Sequence, residues 1–147
     1  MTGLLFACGG FLAAVLWFDL MFDVQVRPYS SGDLPEPVLA SIAGYYRRVT
    51  TDAAPMTYAV ALVMVLGLVC LLAQLIDGAV SRWISLLSLL LVGGAVGLAA
   101  RVVPNAIRLG SRRDPIAEQS SLARRIYRDH VRCLVAIGVF LLLQLAA

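Results

Sequence analysis

Four apolar stretches alternate with polar ones along this chain, at about 3–22, 55–76, 83–100 and 130–147. Each has the length that a helix needs to cross the roughly 30 Å hydrocarbon layer of a bilayer. A shorter, periodic segment lies between the first two. Pro37 sits where a helix-starting proline belongs. Val38, Ile42, Tyr45 and Val49 recur at helical spacing on one face. The pattern predicts an amphipathic helix over 37–51, lying on the membrane surface. Pro115 opens a further helix, 115–129, that runs on into the last apolar stretch. The prediction is therefore an all-α, four-transmembrane-helix bundle with an interfacial helix between spans one and two, in a single domain covering 1–147. Span one is too long and ends too acidic to read as a signal peptide.

Composition agrees. The chain is 61% hydrophobic and 14% charged, against roughly 25% charged residues in soluble domains. All twelve basic residues are arginine. Eleven of them fall in 27–54 and 101–132, leaving Arg82 alone on the other side of a four-span topology. By the positive-inside rule both long segments face the cytoplasm and both termini face out, as in a bacterial inner-membrane protein. The arginines thus read as orientation signals beside membrane lipid, not as a nucleic-acid footprint, since aromatic stacking platforms and RNA-binding signatures are missing.

That topology gathers polar residues in one layer. Asp19, Asp23 and Arg27 share a helix face at the exit of span one. Tyr58 stands at the entrance of span two, Arg101 and Asn105 at the end of span three, and Asp129, His130 and Arg132 at the start of span four. Ionisable groups inside a span are costly unless paired or facing a cavity. They are read either as ion pairs that stitch helix ends together or as the lining of a pocket open to the cytoplasm. Arg125 is expected to pair with Asp129.

Other chemistry finds little support. One histidine, with no cysteine cluster, does not make a typical zinc or haem set, so neither metal nor cofactor is expected. No phosphate-binding loop or serine elbow occurs. Cys8, Cys70 and Cys133 lie inside apolar runs. A Cys8–Cys70 disulfide is conceivable, but small buried hydrophobes are the simpler reading. Gly93 and Gly97 form a small-residue motif suited to close helix approach, within the bundle or in a homo-oligomer.

Val103-Pro104-Asn105 near the end of span three and His130-Val131-Arg132 entering span four, with this order of spans, resemble the anthrone-oxygenase-like family of small four-helix membrane proteins. The resemblance covers most of the chain by architecture and six residues by motif. It implies oxidation of anthrone-type substrates by molecular oxygen without a bound cofactor. His130 would be the general base, with Asp129 beside it raising its basicity. Arg132 and Arg101 would stabilise an oxyanion, and Asn105 would orient the substrate. Asp129 stands where the family pattern has an asparagine, and Tyr127 is the nearest aromatic where tryptophans are expected.

The functional expectation is a pocket for a small lipophilic, aromatic or quinone-like ligand, bound by Asp19, Asp23, Tyr58, Arg101, Asn105 and Arg132. Two other classes stay open. One is a non-enzymatic accessory or oligomeric scaffold. The other is a small proton-linked transporter using Asp19, Asp23 and His130.

Overall fold

The computed structural model describes residues 2–78 and 80–147; Ala79, in the turn expected at 77–82, lies outside them. Five helices account for nearly all of the described chain: α1 (Thr2–Asp23), α2 (Glu36–Arg47), α3 (Ala54–Asp77), α4 (Arg82–Ser111) and α5 (Ile116–Leu145). No strand occurs among the described residues. Prolines stand at the first turns of α2 and α3, where the missing N–H leaves no bond unmade. Gly78 ends α3 in the left-handed conformation, φ 66°.

Three segments are long and apolar enough to cross a membrane: Thr2–Val26, Pro55–Asp77 and Arg82–Ser111. The fourth expected span falls in the second half of α5. Its opening turn carries His130 and Arg132 and follows directly on Arg128 and Asp129, so the charge at its start sets it apart from the other three. α5 packs along both α1 and α4, and α3 packs against α1 and α4. Its inward seam runs Leu122, Ala123, Ile126, Asp129, His130, Cys133, Ile137 and Phe140. These steps of three and four keep one face turned to its neighbours.

Two elements differ from expectation. Span three is expected to end at about Ala100, and a proline is a local stop signal for a helix, yet α4 continues through Pro104 to Ser111. The proline removes one backbone bond, the donor to the Ala100 carbonyl. On either side of it Val102, Ala106 and Leu109 are buried against α2, which offsets the loss. The second difference is α2 itself. Its buried face is Leu39, Ile42, Ala43 and Tyr46, covered by Val102, Ala106 and Leu109 of α4 and by Ala123 and Ile126 of α5. Of the expected apolar stripe, Ile42 alone lies on this buried face. Val38, Tyr45 and Val49, the rest of that stripe, are only partly buried.

Close approach occurs at Gly110 and Gly9. A Cβ on Gly110 would lie 2.8 Å from the Arg47 backbone nitrogen, so α2 ends directly against α4. A Cβ on Gly9 would meet Leu141 Cδ2 at 2.6 Å. Gly93 and Gly97 have nothing within 4 Å of an added Cβ; the motif faces outward within one chain. The connector between α1 and α2 is strapped to α5. The Leu34 amide donates to Ser120 Oγ at 2.9 Å, and Arg124 donates to the Gly32 carbonyl. Cys8, Cys70 and Cys133 are all buried free thiols.

At the opposite end of the helices, Gln74 donates to Ser85 at 3.4 Å and Gln144 to Ser88 at 3.0 Å. All four are buried. The half of the helices away from the arginine-rich ends is otherwise mainly apolar. Its polar residues are single glutamines and serines dispersed in Leu-rich runs, which only the packed helices bring together.

Candidate functional site

Asp19 and Asp23 are one helical turn apart on α1, and the inward seam of α5 carries His130 to them. His130 Nδ1 lies 2.7 Å from Asp23 Oδ2, and His130 Nε2 lies 3.7 Å from Asp19 Oδ2. From α2, the Tyr46 hydroxyl donates to Asp23 Oδ1 at 2.6 Å and the Tyr45 hydroxyl to Asp19 Oδ1 at 2.6 Å. The cluster is sealed. Asp23 is 0% exposed in its side chain, His130 7% and Asp19 15%.

Asp23 Oδ1 accepts from the Tyr46 hydroxyl, and with His130 Nδ1 as the donor to Oδ2 both carboxylate oxygens are satisfied. The neighbouring Tyr46 hydroxyl is 3.4 Å from Nδ1, but its proton is already directed at Asp23. The imidazole then has Nδ1 as its fixed donor, leaving Nε2 on the Asp19 side as the nitrogen free to take up a proton. This is the orienting logic of an acid–histidine pair.

Tyr45, on the expected apolar stripe of α2, has Tyr46 as its neighbour. Both belong to the cluster. A buried tyrosine hydroxyl needs a partner, and the carboxylates of α1 are those within reach. That requirement was the signal available in the adjacent pair of tyrosines. Phe22 stacks on Tyr45, with ring centroids 4.1 Å apart and planes at 9°. Burial, and after it the Asp23 and Asp19 carboxylates, hold the Tyr46 hydroxyl well above the ordinary tyrosine range. Burial and the Asp19 contact push Tyr45 the same way. Both phenols therefore stay protonated donors.

Asp129 and His130 are neighbours in sequence but diverge on the helix. Asp129 turns toward α4, where Arg101 lies at 3.8 Å and Arg132, one turn along α5, at 3.0 Å. The expected Arg125 partner is not the one the carboxylate takes, since Arg101 and Arg132 occupy it. Consecutive helical residues point about 100° apart, so Asp129 does not touch the His130 ring.

A groove of about 530 Å³ opens between α4 and α5, lined by Arg101, Asn105, Arg125, Arg128, Asp129 and Arg132 beside Ala100 and Pro104. His130 lines neither this groove nor the smaller one beside Gly110. The expected site residues are thus split by α5. Asp19, Asp23 and His130 meet on its α1 side, while Arg101, Asn105, Asp129 and Arg132 meet on its α4 side. Tyr58 belongs to neither; it is 75% exposed on α3. No group of three or more His, Cys, Asp or Glu among the described residues is arranged to hold a metal ion.

Compared with known proteins, the chain matches no family model, no curated protein and no solved structure, so its chemistry is read from this geometry.

Proposed function

We propose that this chain is a four-span integral membrane protein, with the apolar half of α5 as the fourth span and the arginine-rich ends in the cytoplasm. The setting that fits is a bacterial inner membrane. Its function rests on an acid–base centre in which His130 takes a proton at Nε2, Asp23 fixes the ring, and Asp19 faces the reacting nitrogen. The observation that carries this reading is the 2.7 Å contact between His130 Nδ1 and a fully buried Asp23. A carboxylate held without solvent stabilises a developing imidazolium far more than an exposed one does.

The ligand class that suits such a base is a small lipophilic molecule with a weakly acidic C–H or phenol proton, aromatic or quinone-like. It would arrive from the Asp19 side, where the carboxylate is 15% exposed against 0% for Asp23. Deprotonation gives an electron-rich carbanion, which molecular oxygen can oxidise without a cofactor. That is the anthrone-type oxygenation implied by the resemblance at Val103-Pro104-Asn105 and His130-Val131-Arg132.

Oxygen uptake with an anthrone substrate tests this, comparing the extracted protein with a His130→Ala variant that keeps its helix content. Uptake by the parent alone supports the reading; equal uptake, or none in the parent, contradicts it.

The sealed state of the cluster favours a second reading. With His130 only 7% exposed, the same groups would serve as a proton-linked latch joining α1, α2 and α5, as in a small transporter or a regulated scaffold. The outward face at Gly93 and Gly97 would then be the contact between copies.

A further inference from the structure

The α4 side of α5 carries a different chemistry. Arg125, Arg128 and Arg132 follow one another at i, i+3 and i+7, a single stripe on the helix. Arg101 and Asn105, one turn apart on α4, stand opposite it across the groove. Against these four guanidiniums the groove holds one carboxylate, Asp129, which is buried and engaged with Arg101 and Arg132. Arg125 and Arg128 have no ion pair or side-chain hydrogen bond among the described residues.

An excess of three positive charges around one concavity repels itself and concentrates anions. A guanidinium fork matches the oxygens of phosphate in a paired, planar contact. The free oxygens of a phosphate ester, monoester or diester, are set tetrahedrally and can meet guanidiniums of both α4 and α5. At about 530 Å³ the groove is within the range of small-molecule sites and larger than a bare phosphate needs. Asn105, whose side-chain amide has both a donor and an acceptor, lines the same wall and can meet a hydroxyl.

We infer that the α4–α5 groove binds the phosphate of a hydroxyl-bearing phosphate ester, gripped by Arg125 and Arg128 and flanked by Arg101, Arg132 and Asn105. The ester is either an anionic phospholipid headgroup, since Arg101 directly follows the apolar run of α4, or a soluble phosphate ester from the cytoplasm. This inference is independent of the acid–base role of His130.

The test is titration of the whole protein in neutral detergent with glycerol phosphate, short-chain phosphatidylglycerol and short-chain phosphatidylcholine, read by native mass spectrometry and thermal shift. Saturable binding of glycerol phosphate and phosphatidylglycerol alike supports a soluble ester. Saturable binding of phosphatidylglycerol alone supports a headgroup. In either case the Arg125→Gln/Arg128→Gln double variant binds about tenfold or more weaker, while Arg113→Gln, an exposed arginine outside the groove, binds like the parent. Absence of saturable binding by both phosphate ligands overturns the inference, as does a double variant that keeps parental affinity.

Discussion

Asp23 and His130 lie 107 positions apart in sequence, yet their side chains meet at 2.7 Å in a site without solvent. Removing one member strands the other. Asp23→Ala leaves the imidazole and the Tyr46 hydroxyl buried without their acceptor, a loss of about 3–5 kcal/mol by analogy with broken buried pairs. Asp23→Asn keeps an acceptor oxygen and is expected to lose less. Unfolding of both variants in mixed detergent measures the order.

Tyr46→Phe removes the second donor to Asp23 and is expected to destabilise the protein by about 1–3 kcal/mol. Tyr45→Phe, at a partly buried position, is expected to cost less. Alkaline titration of tyrosinate absorbance checks the state of both phenols. Because their folded values are raised, their contribution is complete below the ordinary tyrosine value of 10.0 and declines as pH rises above it. Replacing both by phenylalanine should leave the ordinary tyrosinate transition of the folded protein unchanged.

Glycine positions separate by what stands opposite them. Gly110→Ala drives a methyl against the Arg47 backbone, which has no side-chain freedom to yield; the expected loss is about 1–3 kcal/mol. Gly93→Ala meets nothing within 4 Å and is expected to gain up to about 1 kcal/mol from helix propensity. Thermal unfolding of the two variants gives opposite signs. A loss on Gly93→Ala that depends on protein concentration would instead reveal a contact between copies.

At the far end of the helices, Gln144 Oε1 is buried without a hydrogen-bond partner. Gln144→Leu therefore removes one bond to Ser88 together with an unsatisfied acceptor. The expected change is within about 1 kcal/mol in either direction. A much larger loss in thermal unfolding would mean that this acceptor is satisfied in the membrane.

The helices themselves were legible because their signals are local. Proline starts at α2 and α3, the apolar runs, and the Asp19/Asp23 spacing each lie within a few residues. The assembly of the site was not. Nothing along the chain tells that α2 turns Tyr46 inward, since its stripe at Leu39, Ile42, Ala43 and Tyr46 competes with an equally periodic one at Val38, Ile42, Tyr45 and Val49. The choice is made by α4 and α5, which cover one stripe. Likewise Asp129 and His130, adjacent in the chain, were grouped as one site. Helical geometry sends the first to Arg101 and the second to Asp23. Pro104 carried a local stop signal that the burial of Val102, Ala106 and Leu109 overrides.

The chain contains a single histidine, which makes the central claim directly measurable. Nitrogen-15 NMR of the imidazole in the detergent-solubilised protein, near neutral pH, reports which ring nitrogen carries hydrogen. The account predicts a slowly exchanging proton on Nδ1, bonded to Asp23 and displaced by Asp23→Asn. A neutral ring protonated at Nε2, or a ring exchanging freely with water and indifferent to Asp23→Asn, would contradict it.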